Sequence, residues 1–355
     1  MTATATTLSR PADSFRLTVL NPGGRDPEQD FSAGAGSPND GGGHAPVSFH
    51  GYAACTRGVF HRKTQAAVAE GLPVLLLLRG DFRETRRALG KLQERGLTVA
   101  VALKETGLHQ ITRQLSDPKR ATLFREIVRA ADGAIAATPE AVEFFGKGKF
   151  IPTPYPVADE RWDFSRPVAE RAGVFIGTRE WNVPSRNHLA ALTLGQELGE
   201  GITVFDRNPR RSRKLWKSLG GDERLLRLLP KRLPYRDYLA EIERHKIVLQ
   251  ADRSAVPGQV AGDALLCRLP CVGGDGAIDR ICFSRTCGFG RSLGELRESA
   301  ERLLRDPNFY AEIVAESQRE ALARIGFEVV AMQLAEFFER SVERSALSER
   351  LSNMR

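Results

Sequence analysis

Residues 247–279 read IVLQADRSAVPGQVAGDALLCRLPCVGGDGAID. The segment predicts an apolar strand over Ile247–Gln250 and then a loop holding Ser254, Pro257 and Gly258. A short helix around Asp263–Cys267 follows, and Leu269–Val272 reads as a second strand before Gly273 and Gly274. In an α/β sheet, ligands sit at the carboxyl ends of strands, beside helix N-termini that carry partial positive charge. Such a segment presents backbone N–H groups and one carboxylate, Asp263, to a crevice. The chemistry on offer is the holding of an anion. Gly258 is the loop residue that allows close approach to the backbone. Asp263 also suits a plain helix N-cap.

The same stretch resembles the donor-binding end of GT-B glycosyltransferases, in particular the large retaining group with a Glu-x7-Glu motif. That group reads roughly E-G-F-G-x-x-x-L-E-A-x-A-x-G-x-P-V-V. Here Ala255-Val256-Pro257-Gly258 and the run Gly262 to Val272 stand against it, with Gly258, Asp263, Ala264 and Pro270 in register. Ala255 replaces the first Glu, and Asp263 shortens the second. The loop Gly177 to Asn187 resembles the family's G-R-x-x-x-x-K-x. Arg179 matches the family Arg, and Arg186 stands in for the Lys across a loop two residues longer.

The resemblance implies transfer of a sugar from a nucleoside-diphosphate donor to an acceptor hydroxyl. The acceptor is a glycan, a lipid-linked glycan or a small metabolite. No cofactor and no metal are expected, since the chain has no Asp-x-Asp. Arg179 and Arg186 would contact the diphosphate, because a planar guanidinium fork suits phosphate. Backbone amides of Gly258, Gln259 and Val260 would donate to it, and Asp263 would hold the ribose. Tyr235 would stack on the nucleobase, although Tyr is also an ordinary packing residue. Gly23 and Gly24, after the first strand, match a loop where the GT-B backbone approaches the donor. Ala255 cannot do the work of the first Glu. Asp252 and Ser254 are the neighbours able to replace it in part, which leaves retention or inversion open.

An inverting mechanism needs a base with a pKa near the working pH. Asp26, His50, Glu105 and His109 are the candidates in the first half, although a lone His or Asp on a loop is more often a plain surface group. A second reading is a non-catalytic GT-B module that binds a nucleotide sugar or a partner subunit, and Ala255 favours it. A third, a GT-B-fold sugar-nucleotide epimerase, needs several carboxylates and a His around the sugar, and the second half supplies few.

The resemblance implies two Rossmann-like α/β domains with C-terminal helices crossing back onto the first. Strands are expected at Phe15–Leu20, Pro73–Leu78, Leu97–Leu103 and Gly133–Ala137, with helices at Cys55–Glu70, Phe82–Arg95, Gln114–Ala131 and Pro139–Phe145. That βαβα rhythm means a parallel sheet. It pauses at the prolines 152, 154 and 156 and restarts at Gly173. The expected division is a disordered tail over 1–13, an acceptor domain over 14–152 and a linker over 153–170. A donor domain over 171–308 and crossover helices over 309–355, broken near Gly326, complete it.

The chain is 355 residues long and 41% hydrophobic, which suits two ordinary α/β domains. No apolar run reaches 18 residues, and the N-terminus lacks a signal-peptide core, so a cytoplasmic location is expected. The net charge of +8 suits peripheral contact with the anionic inner face of a membrane. The run Arg207 to Lys214 lacks the aromatic interleaving of single-strand binders, which argues against nucleic acid. Cys267, Cys271, Cys282 and Cys287 read as buried thiols rather than zinc ligands, because Cys267 falls on a helix and Cys271 on the next strand.

Overall fold

A computed structural model describes residues 15–39, 44–146 and 148–353, with side chains through residue 343. The expected tail over 1–13 lies outside the described residues. The first sheet holds β1 (Thr18–Leu20), β2 (Gln29–Asp30), β3 (Val59–His61), β4 (Val74–Leu78), β5 (Val99–Leu103), β6 (Gly133–Ala136) and β7 (Gly148–Phe150). Their order is β2-β3-β1-β4-β5-β6-β7, parallel throughout except for the β2–β3 pair. β4 and β5 are buried along their whole length, as continuous apolar runs in a helix-covered parallel sheet must be.

The second sheet holds β8 (Val174–Ile176), β9 (Ile202–Phe205), β10 (Leu226–Leu229), β11 (Ile247–Leu249) and β12 (Cys271–Val272). Their order is β10-β9-β8-β11-β12, all parallel. The chain winds outward one way through β9 and β10 and then the other way through β11 and β12. The loops after β8 and β11 therefore flank the point where the winding reverses, the usual ligand crevice of such a sheet.

Two expected helices are each interrupted. The segment 55–70 contains β3, and its true helices are Ser48–Cys55 and Thr64–Glu70. Gly58 is the cause: a Cβ there would lie 1.9 Å from the Leu17 carbonyl oxygen, so only glycine lets this backbone reach β1. The segment 114–131 breaks into Leu108–Leu115 and Pro118–Ala130. Asp117 caps the second helix by accepting from the amides of Lys119 and Arg120, and Pro118 opens it without a donor to waste.

The C-terminal helices Pro307–Arg324 and Phe327–Asn353 part at Gly326, as expected. The first buries Phe309, Tyr310 and Ile313 in the core of the second sheet. The second crosses back and buries Val330, Leu334, Phe337 and Phe338 against Leu17, Val19, Tyr52 and Leu75 of the first half. The proline-rich segment is pinned between the halves. Tyr52 donates its hydroxyl to the Ile151 carbonyl at 2.7 Å, and the Tyr155 amide donates to the Ile325 carbonyl at 3.0 Å. Among the described residues no helix is long and apolar enough to cross a membrane.

Candidate functional site

A cavity of about 440 Å³ lies between the two sheets, within the size range of small-molecule sites. Its first wall comes from Ser48, Arg79, Lys104, Glu105, Thr106 and Gln110. Thr153 and Tyr155, from the proline-rich stretch between the sheets, form its floor, and the opposite wall includes Thr178, Arg179, Arg186, Tyr238, Asp252 and the run 256–260 with Asp263. Arg79 and Lys104 directly follow β4 and β5, and Thr178 and Asp252 stand at the exits of β8 and β11.

Seven of the expected residues meet on these walls: Glu105, Arg179, Arg186, Gly258, Gln259, Val260 and Asp263. Gly258 has φ +90 and is the N-cap of helix Gln259–Leu266, which carries no side-chain cap. The first amides of that helix are thus open to an acceptor. Behind the cap stands Asp279, whose Oδ2 accepts from the Gly276 amide at 3.2 Å and whose Oδ1 accepts from Gln250 Nε2 at 2.8 Å. A Cβ on Gly258 would come within 2.9 Å of that Oδ2, so the carboxylate and the glycine fit only each other. Burial, with Asp252 nearby, pushes the Asp279 carboxyl up to about 7.

The Arg179 guanidinium lies over the rings of Phe205 and Tyr238, at 4.9 and 4.5 Å from their centroids. Its buried Nε has no hydrogen-bond partner in the protein. Arg186 sits between two carboxylates, Glu180 at 3.1 Å from its Nε and Asp252 at its Nη1. Asp252 in turn accepts from the Ser254 amide at 2.8 Å, and the Ser185 and Ser254 hydroxyls share a hydrogen bond of 2.7 Å. The loops after β8 and β11 are thereby locked together. Trp181 braces the first of them, donating to the Phe205 carbonyl at 3.1 Å and stacking on His188.

Asp263 is buried, and burial raises its carboxyl to about 7 against the opposing pull of the Tyr235 hydroxyl, Arg179 and the Tyr155 hydroxyl. Tyr235 was expected under a nucleobase. It lies off the cavity wall and donates its hydroxyl to Asp263 Oδ1 at 2.6 Å, its ring packed toward Trp162 and Tyr238. Tyr238, one turn further along the helix, lines the cavity in its place, as Tyr155 does from the floor.

The first-half candidates scatter. Gly23 and Gly24 are off the wall. Gly23, with φ +67, faces the Glu84 carboxylate, and its carbonyl accepts from Arg79 at 2.6 Å. Asp26 is off the wall too, 2.7 Å from Lys104 Nζ. Burial acts to raise its carboxyl, but Lys104 with His50 and His44 holds it below the ordinary range. His50 is a core residue: its ring stacks between His44 and Phe60, and Nε2 meets the Pro27 carbonyl at 2.9 Å. Burial and its neighbour His44 lower it to about 3, which removes it as a base near neutral pH. His109 lies just outside the wall with an unpartnered Nδ1, its pKa lowered by burial and by Arg186. Glu105 alone of the four lines the cavity, 3.4 Å from Arg113.

Sequence reasoning missed Arg79, Lys104, Tyr155, Tyr238 and Asp279. Arg79 and Lys104 were open to detection, since each is the first polar residue after a buried apolar strand, where a sheet presents its ligand groups. Ala255, in the position of the missing Glu, is buried with φ +45 and does not reach the cavity.

No protein-family model matches the chain, and no curated protein matches it by sequence. Solved structures do. Sucrose-phosphate synthase from Thermosynechococcus elongatus superimposes with a TM-score of 0.64 at 12% identity, over 93% of this chain and 100% of that one. HepE of Anabaena, solved with UDP and glucose, gives 0.60 at 13% identity over 92% and 100%. An O-GlcNAc transferase mutant of Thermobaculum terrenum gives 0.57 at 14% over 95% and 70%. Likeness at this identity speaks for architecture alone, and the architecture is the GT-B glycosyltransferase fold.

Proposed function

We propose that this protein transfers a glycosyl group from a nucleoside-diphosphate sugar to an acceptor hydroxyl, without a metal. The observation that carries the reading is the convergence of Arg179, Arg186 and the open helix terminus at Gly258 on one cavity, at the reversal point of the second sheet. Residues 171–308 then form the donor domain, and 14–152 the acceptor domain. The acceptor oxygen bonds to the anomeric carbon. The bond from that carbon to the diphosphate breaks, and its electron pair leaves with the diphosphate. The acceptor proton passes to a base, for which Glu105 is the cavity-lining candidate. Fixed cations and amides aimed at the departing diphosphate supply the electrostatic part of catalysis. Asp263 and Tyr238 stand where a nucleoside would extend. HepE was solved with UDP, which makes UDP the first donor nucleotide to test. A cytoplasmic enzyme with peripheral contact to an anionic membrane fits the charge of +8.

A thermal-shift panel of UDP, GDP and dTDP tests the reading. A ligand that binds the folded state alone raises stability by RT ln(1 + [L]/Kd), about 2.7 kcal/mol at a hundredfold excess over Kd. One nucleotide is expected to raise Tm and its sugar conjugate to be turned over. No shift from any of the three would overturn the reading. Saturable binding with no turnover across a broad acceptor panel would favour the non-catalytic module to which Ala255 points.

A further inference from the structure

This inference rests on the transferase reading and concerns the chemistry of its acceptor. β4 and β5 pair with Leu78 opposite Leu103, and the Lys104 amide donates to the Leu78 carbonyl at 2.9 Å. Arg79 and Lys104 therefore leave the sheet side by side at its carboxyl edge, and both line the cavity. Like charges facing each other on adjacent strands destabilise a sheet. Their local partners answer the two charges only in part.

Lys104 is partly answered, by Asp26 at 2.7 Å and by the Phe49 ring at 5.1 Å. Arg79 spends one donor on the Gly23 carbonyl at 2.6 Å. Among the described residues no carboxylate comes within the 4.0 Å of an ion pair with it. Phe49 belongs to helix Ser48–Cys55, whose first residue lines the same wall. Val47 at its N-cap offers no side-chain acceptor, and the first turn has no acidic residue. Its open amides add partial positive charge beside the two cations. The one carboxylate lining this wall, Glu105, has its own partner in Arg113.

We propose that this wall binds a phosphate monoester carried by the acceptor, so that the sugar is transferred to a phosphorylated compound. A monoester carries close to two negative charges at neutral pH and three strong acceptor oxygens. It matches a guanidinium fork, an ammonium and helix amides together. A phosphate would take up Arg79 donors beyond the one given to the Gly23 carbonyl. The wall belongs to the first sheet and is separate from the groups of the second that face the donor.

The test is calorimetric titration of the full chain saturated with UDP. The probes are glucose 6-phosphate, fructose 6-phosphate and glycerol 3-phosphate, each against its unphosphorylated parent. Phosphatidylcholine vesicles doped with phosphatidic acid are the lipid arm. At least one phosphate monoester is expected to bind about tenfold or more tightly than its parent. Arg79→Met is expected to weaken that binding about ten- to a hundredfold, with Arg79→Lys restoring part of it. Binding to soluble esters alone assigns a metabolite acceptor, and binding to vesicles alone, weakened by Arg79→Met, assigns a lipid-borne one. Equal binding of esters and parents, or ester binding untouched by both Arg79→Met and Lys104→Met, overturns the proposal. Absence of binding by UDP, GDP and dTDP alike overturns the transferase reading instead, and where another of the three binds, it takes the place of UDP in the titration.

Discussion

Gly262→Ala is expected to destabilise the protein by about 2–4 kcal/mol, through overpacking and a broken hydrogen bond. Gly262 lies inside helix Gln259–Leu266, where alanine would ordinarily gain about 1 kcal/mol from helix propensity. Here its Cβ would stand 2.1 Å from Cζ of Tyr155 and 2.3 Å from Cε2. The ring is held in place at several points. Tyr155 is 1% exposed, its amide is tied to Ile325, and its hydroxyl donates to the Gln259 carbonyl at 3.1 Å. The clash therefore outweighs the propensity gain. Displacing the ring also removes one hydroxyl from Asp263 and tilts the helix whose first amides face the cavity. Denaturant unfolding reads the stability loss as a lower midpoint, and the same variant should bind nucleotide more weakly. A midpoint equal to or above that of the parent would show that the linker tyrosine is not the fixed strut described here.

Arg179→Ala is expected to weaken nucleoside-diphosphate binding by about 1.5–3 kcal/mol, the worth of a hydrogen bond to a charged group. That is roughly a ten- to hundredfold rise in Kd. Arg179 rests on two aromatic faces and keeps a buried N–H without a protein partner. An orphan donor of this kind is costly unless a ligand satisfies it. Arg186 is expected to matter less, since Glu180 and Asp252 already compensate its charge. Arg179→Lys should recover only part of the affinity, because an ammonium neither stacks flat on Tyr238 nor forks onto phosphate. Kd values from calorimetry decide the matter. An affinity in Arg179→Ala equal to that of the parent removes this guanidinium from the site.

The sequence made the larger plan legible for physical reasons. The runs Val74–Leu78 and Val99–Leu103 are apolar on both faces and can only be inner strands of a covered sheet. Three prolines marked the break between the two sheets because they forbid regular structure. β3 stayed hidden because its cause is a close approach of Gly58 to Leu17, a contact between residues 41 apart. The second sheet's Gly258 loop could be read locally, since strand, glycine and helix start are contiguous there.

The first half's chemistry could not be read in that way. His50 has the right side chain for a base, but stacking and burial remove it from that role. The tyrosines around Asp263 were equally invisible, since Tyr155 reaches it across 108 residues of chain. Residue type nominated candidates, and long-range packing selected among them.

Crystals soaked with the nucleotide that gives the largest thermal shift test the central claim most directly. Density for the diphosphate is expected between the Arg179 guanidinium and the backbone amides of residues 258–260, with the nucleoside running toward Asp263 and Tyr238. A diphosphate bound elsewhere, with the Gly258 loop unoccupied, would contradict the account.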